Sequence, residues 1–306
     1  MKKLKTERHH WWPRCVSKHW ANDEGFTNRL TPDLATNKIP PAQLGMIGNG
    51  HHIKLSRIPG EPSPWDQSFE KTFDLADNNF PKVIEWMNNL SRKDLPNLQL
   101  TERFQAHHST EEQLKILTEC VVSLVIRSPR NREASVSVAE WLRGAIPKAE
   151  REGIIVLNMR DTQRMVSDHI GSSGKFAVLF STEKEFIFGD GFYHSFTAPA
   201  NPPISPMILA PITPNISVII YRPTSYSVEP RLSTLVLNDE EVTMCNHAVQ
   251  VYSCNNIFFK SEMPLIKDDA FTCGTHCQYD IFDNPVEQLI RSIPGAHLHN
   301  GFNFLF

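Results

Sequence analysis

The stretch Arg8-His9-His10-Trp11-Trp12-Pro13-Arg14, continued by Cys15-Val16-Ser17-Lys18-His19-Trp20, decides how the rest of the chain is read. Two adjacent imidazoles, two indoles, a proline and flanking cations exceed what an ordinary strand or helix requires. Histidine titrates near neutrality and serves as acid, base or metal ligand, so His9, His10 and His19 are candidate functional groups. Arg14 and Trp12 stand beside them as candidate substrate contacts. Lys2, Lys3, Lys5, Arg8, Arg14 and Lys18 face only Glu7 in the first twenty residues. Such a run is usually a solvated terminus and less often an anion-binding edge.

Outward from this segment, residues 21–60 carry turn chemistry: Asn22-Asp23-Glu24-Gly25, Pro32, Pro40-Pro41, Gly45, Gly48 and Gly50. Short strands are expected between them at Phe26–Leu30 and His51–Ile58. The second histidine pair, His51-His52, fits a half-buried strand, so a structural role is the preferred reading. A helix is expected after Ser63-Pro64, with Phe69, Phe73, Ala76, Phe80, Val83, Met87 and Leu90 on one face. Pro81 should kink it or divide it. Ser109-Thr110-Glu111-Glu112 is a capping-box signature, opening a helix with Leu114, Leu117, Val121, Leu124 and Val125 inward. That helix ends at Arg127-Ser128-Pro129. Arg127, Arg130 and Arg132 then gather at its C-terminus, where cations suit the macrodipole. The sharper alternative is an anion clamp, which makes Arg127 and Arg130 candidate substrate contacts. A third helical region runs from Ala134 to about Ile170, interrupted near Pro147 and Gly153.

Beyond Gly171-Ser-Ser-Gly174 the pattern changes to short apolar runs: Phe176–Phe180, Glu185–Gly189, Met207–Ala210, Ile216–Tyr221 and Ala248–Tyr252. Sequence alone leaves the last of these open between strand and helix. The fold expected is α+β in one compact unit, a single domain over 1–306. It has short N-terminal strands, a helical middle at about 63–170, a β-rich C-terminal half at about 175–260, and a loop-rich extension at 261–306. The apolar end Phe302-Asn-Phe304-Leu-Phe306 is expected to pack on the core or on a partner, a second copy included. Asp190, in a Gly-Asp-Gly turn at a strand end, is expected to be exposed and near the N-terminal histidines, with His194 beside it. The alternative is that Asp190 bonds its own turn.

With 306 residues and a formal charge of −3, the chain can bury a sizeable core and has no global attraction to nucleic acid or anionic membrane. No apolar run is long enough to span a bilayer and no signal-peptide core follows the basic start, so no membrane partner and a cytoplasmic location are expected. Six irregularly spaced cysteines do not suggest a disulfide framework. Cys273-Gly-Thr-His276-Cys277 is the clustered set and lacks the four ligands of a structural zinc site, so these read as ordinary thiols. Gly-rich phosphate loops, Gly-x-Ser-x-Gly elbows and His-Glu-x-x-His motifs are missing, which counts against the known nucleotide-dependent and serine-hydrolase classes.

His-His-x-x-Pro at the start is similar to the opening of a large, mostly bacterial family of unknown activity, domain of unknown function 4238. Three further stretches resemble it in the same order. Val121 to Glu133 is like its apolar helix ending in Arg-Thr-Pro, and Lys184 to Phe196 is like its Phe-Ile-x-Ser-Asp-Asn-Pro turn. The segment from Met207-Ile-Leu-Ala-Pro to Cys245-Asn-His-Ala is like its Pro-Leu-Ser-Pro strand and closing Asn-x-x-Ala helix. Gly191 and Phe192 replace the usual Asn-Pro, and Trp11-Trp12 replace the commoner Tyr-Val. The resemblance implies that Ala248–Tyr252 is helical. His-His-x-x-Pro is also like the first half of a His-Asn-His nuclease motif, although no third histidine follows at the required spacing. Two functional expectations follow. One is a metal-assisted, nuclease-like hydrolase of nucleic acid, a toxin or phage-defence effector, with His10 as general base, Asp190 as metal ligand or orienter, and Mg²⁺ or Mn²⁺ as the cofactor such chemistry takes. The other is a non-catalytic module that binds a protein or nucleotide through its Arg and Trp surface.

Overall fold

The N-terminal segment turns back on itself at once, because Pro13 stops its strand and Gly45 lets another return beside it. The computed structural model describes residues 8–48, 51–53, 66–95, 97–171, 173–194, 206–222, 229–274 and 285–296. Arg8–His10 (β1) leads into a short helix, Arg14–Ser17 (α1), and a 3-10 turn over Lys18–Trp20. The Asn22 side chain accepts the N–H groups of Glu24 and Phe26, both at 3.1 Å. That turn feeds Thr27–Leu30 (β2), which pairs antiparallel with Thr36–Ile39 (β3). Met46–Gly48 (β4) then pairs with β1, placing His10 opposite Met46. Gly45 has φ +69°, and a Cβ there would lie 2.5 Å from that of Trp12, so a side chain fails on both conformational and steric grounds. His52–Ile53 (β5) and Gln67–Ser68 (β6) form a second small antiparallel pair. The expected strand His51–Ile58 is therefore described only as far as Ile53, and the Ser63-Pro64 helix start lies outside the described residues.

The apolar stripe from Phe69 onward becomes a 3-10 turn, Glu70–Phe73, running into Asp74–Asn88 (α2). Pro81 does not divide this helix, contrary to one of the two expectations. Proline withholds the N–H that would have met the Asp77 carbonyl, and the Cys15 thiol approaches that oxygen at 3.7 Å instead. A short helix, Leu100–Arg103 (α3), and a strand, Gln105–His107 (β7), precede the next long helix, Glu111–Arg127 (α4). Its cap is Thr110 rather than Ser109. Thr110 Oγ1 accepts the Gln113 N–H at 3.2 Å while Gln113 Oε1 accepts the Thr110 N–H at 2.9 Å. Ser128 closes α4 and its hydroxyl accepts the Asn131 N–H at 3.3 Å, so the next helix, Pro129–Arg143 (α5), starts at the proline and not at Ala134. Lys148–Gly171 (α6) follows. The break near Pro147 is present, but Gly153 lies inside α6. One interior glycine costs about 1 kcal/mol, too little to interrupt a helix that buries Ile155, Val156, Met159 and Val166.

The β-rich half comprises Lys175–Ser181 (β8), Phe188–Gly189 (β9), Tyr193–His194 (β10), Met207–Thr213 (β11), Ile216–Tyr221 (β12) and Leu232–Leu237 (β13). Helix Asp239–Tyr252 (α7), strand Ile257–Phe259 (β14) and helix Pro285–Ser292 (α8) complete the described chain. Ala248–Tyr252 is thus helical, the end of α7. α8 places regular structure in the stretch expected to be loop-rich. Among the described residues a six-stranded sheet runs β10-β11-β12-β8-β13-β7, with β8 and β13 as its one parallel pair. Both are buried along their whole length, as strands covered on two faces must be. A four-stranded sheet runs β3-β2-β14-β9 and joins the N-terminal strands to the C-terminal half. Among the described residues the fold is therefore α+β in one unit, and none of their helices is long and apolar enough to cross a membrane.

Candidate functional site

The tryptophans of the opening segment are core. Trp12 is fully buried and stacks on Phe188 with ring centroids 4.0 Å apart. Trp11 tilts against Phe258, and Trp20 donates its indole N–H to the Ile212 carbonyl at 3.0 Å. Aromatic pairs of this kind add to burial energy, so the N-terminus is welded to β9 and β14. Asp190 follows β9 directly in the chain, but its carboxylate is enclosed. Asp190 is buried. Its oxygens accept the Cys254 N–H at 2.7 Å, the Asn255 N–H at 3.0 Å and the Asn256 side-chain amide at 3.0 Å. Among the described residues its partners thus lie beyond α7, not in its own turn. It collects the donors just beyond α7 and leaves little lone-pair capacity for a metal. The turn is glycine-flanked because a Cβ on Gly191 would collide with the Tyr252 carbonyl.

The arginines are also engaged. Arg127 is fully buried and grips Asp77 with both ends of its fork, at 2.7 and 3.0 Å. It also reaches the Ser123 and His10 carbonyls at 3.2 and 3.5 Å. Its partner Asp77 is 42 % exposed, so the pair runs from the core to the surface. Arg130 donates to the carbonyls of Cys273 and Phe192 at 3.0 and 3.2 Å and lies over the Tyr252 ring. Both arginines thus clamp protein groups. Arg14 and His19 are exposed on the outside of the opening turn. Partial shielding of the His19 ring, with Lys260 and Lys18 nearby, lowers its pKa. The His194 side chain, His276, Cys277 and Phe302–Phe306 lie outside the described residues.

The two histidines of the motif hold opposite tautomers. His10 Nδ1 lies 3.0 Å from the Leu44 carbonyl oxygen, which can only accept, so Nδ1 carries the proton and Nε2 keeps a lone pair. The backbone N–H of His51 points at His9 Nδ1 at 3.3 Å. A backbone N–H can only donate, so the neutral His9 ring carries its proton on Nε2, 3.9 Å from Glu70 Oε2. Successive strand residues face opposite ways. His9 accordingly points inward to a cluster that the sequence reading did not assemble. His51 and His52 pack on His9 with ring centroids 4.8 and 4.5 Å away. All three rings are buried, while Glu70, its side chain 56 % exposed, marks the side toward solvent. Burial first, then the charges of Arg127 and Arg132, push the His51 pKa down to about 2. Among the described residues its Nδ1 is buried without a hydrogen-bond partner. The signal for this cluster was present as a second His-His pair, yet nothing local in the sequence says that the two pairs meet. Among the described residues no three His, Cys, Asp or Glu side chains converge as a metal-binding group.

These features define a class: an α+β unit whose His-His-x-x-Pro opening is built into the core beside a cluster of imidazoles. The family described as "Protein of unknown function (DUF4238)" matches residues 8–263, and the chain belongs to it. No curated protein and no solved structure matches the chain.

Proposed function

We propose that the chain is a hydrolase of nucleic acid whose reactive centre is the cluster His9, His51, His52 and Glu70, rather than the pair His10 and Asp190. The observation that carries this reading is the packing of the buried His51 and His52 rings on a buried His9, with a His51 Nδ1 that has no hydrogen-bond partner among the described residues. Burying polar nitrogen without a bond costs about 1–3 kcal/mol, and folding alone gives no return for it. Perturbed titratable groups of this kind gather at functional sites. His9 Nε2–H donates a hydrogen bond to the leaving oxygen, which takes its proton from solvent water, and the neutral His51 ring accepts the proton of the attacking water. The cations that depress His51 favour an anionic substrate, and a phosphodiester bound there would offset them and raise its basicity.

The test is degradation of mixed RNA and DNA in Mg²⁺, Mn²⁺ and EDTA, alongside a melting curve for each protein. His9→Gln and His51→Gln should each lower the rate by about 10² to 10⁴, with melting changed little. Asp190→Ala should chiefly lower stability, because three donors lose their acceptor. Wild-type protein inert on every nucleic acid in every arm would overturn the reading. The non-catalytic binding module would then stand, but on a different surface. The tryptophans of the opening segment are buried, whereas α5 presents Val138, Trp141 and Leu142 at 67, 82 and 68 % exposure.

A further inference from the structure

Cys254 and Cys273 stand apart from the other described cysteines. Cys120 and Cys245 are sealed in the core, and Cys15 is occupied by the Asp77 carbonyl. Cys254 and Cys273, by contrast, are both half-buried and their sulfurs lie 3.1 Å apart, closer than two unbonded sulfurs rest. Each is held from behind. The Cys254 N–H is fixed on Asp190, and the Cys273 carbonyl on Arg130 Nε. Cys273 sits at φ +56°, within a strap that is laced to the end of α7. The Phe271 and Gly274 N–H groups bond the Gln250 and Val251 carbonyls, both at 2.8 Å. In the chain Cys273 stands beside Cys277, its near neighbour. The fold instead brings it to Cys254.

We propose that Cys254 and Cys273 are a disulfide-forming pair that fastens the strap to the C-terminal end of α7 when the protein meets hydrogen peroxide. A disulfide requires sulfurs at about 2.05 Å, so the two must close by roughly 1 Å. In the step, one thiol attacks the peroxide O–O bond, giving a sulfenic acid and one water. The second sulfur then attacks the sulfenic sulfur. The S–S bond forms, the S–O bond breaks, and the oxygen leaves as a second water carrying the remaining thiol proton. Two thiols are thus oxidised and one peroxide is reduced. The strap also contributes Met263, Leu265 and Lys267 to a pocket of about 240 Å³, whose other wall includes Thr243, His247 and Gln250 of α7. Closing the bond fixes one wall of that pocket to the other.

The experiment uses the full chain, reduced and then treated with hydrogen peroxide. Two thiols should disappear, the intact mass should fall by two hydrogens with no oxygen gained, and a non-reducing peptide map should join the Cys254 and Cys273 peptides. The oxidised protein should melt several degrees higher, since a cross-link restricts the unfolded chain. That gain should vanish in Cys254→Ser and persist in Cys277→Ser. A Cys273–Cys277 link, oxygen added to either cysteine without a link, or six retained thiols would overturn the assignment. The peptide map on wild-type protein decides the matter even if a serine variant folds poorly.

Discussion

A buried imidazole that cannot take up a proton makes a folded chain sensitive to acid. The His51 pKa falls from an ordinary 6.5 to about 2, chiefly through burial. Between those values the unfolded chain binds a proton that the folded chain refuses. The stabilisation is therefore complete above about pH 6.5 and is lost as pH falls through the window, at about 1.4 kcal/mol per unit for one proton. His19 and His107 shift in the same direction and steepen the slope. Melting temperature should drop between about pH 7 and pH 5, and His51→Gln should flatten that dependence. An unchanged slope in the variant would remove His51 from its buried, neutral position. At this scale the sequence was legible in kind but not in placement. The functional density of the His-His pairs was evident from composition, but His9 and His51 meet across 42 positions and no periodicity links them. Asp190 looked like an exposed turn residue because its donors lie 64 to 66 positions further on. Arg127 fitted a capping cation, and its carboxylate partner is 50 positions earlier.

Among the elements, those with a strong local pattern were readable. α2 and α4 announced themselves by apolar steps of three and four, and β12 by a short apolar run between turn residues. The errors fall where two neighbouring residues offer the same chemistry, or where no local boundary exists. Ser109 and Thr110 are both competent caps, and which one serves depends on the partner three positions later: Gln113 returns its side chain to Thr110. Thr110→Ala should then cost about 1 kcal/mol, while Ser109→Ala should be close to neutral by chemical denaturation. Equal losses would place the helix start elsewhere. β13 went unread because Leu-Ser-Thr-Leu-Val-Leu shows no alternation. It is buried on both faces, so periodicity carries no information about it. α7 was recognised only at its end, although its own box is plain: Asn238 accepts the Glu241 N–H at 2.9 Å and Glu241 returns to Asn238.

Across the whole molecule, the described tryptophans include both core and rim positions, a contrast that mutation can read. Trp12→Ala should cost about 3–5 kcal/mol, the range for removing a buried aromatic, since it empties the contact with Phe188. Trp141→Ala, on the open face of α5, should stay within about 0.5 kcal/mol of wild type. Comparable losses at both positions would mean that α5 packs inward. The parallel pairing of β8 with β13 has a consequence for biosynthesis. One edge of β8 can be covered once β12 is made, but the other has no partner until Leu232–Leu237 leaves the ribosome. That interval is on the order of seconds at ordinary translation rates. For its duration the nascent chain carries the strand Lys-Phe-Ala-Val-Leu-Phe-Ser with a bare row of amides and carbonyls, the edge on which polypeptides emerging from neighbouring ribosomes aggregate. Expression at low temperature or with extra holdase chaperone should therefore raise the soluble yield more than any substitution on the finished surface.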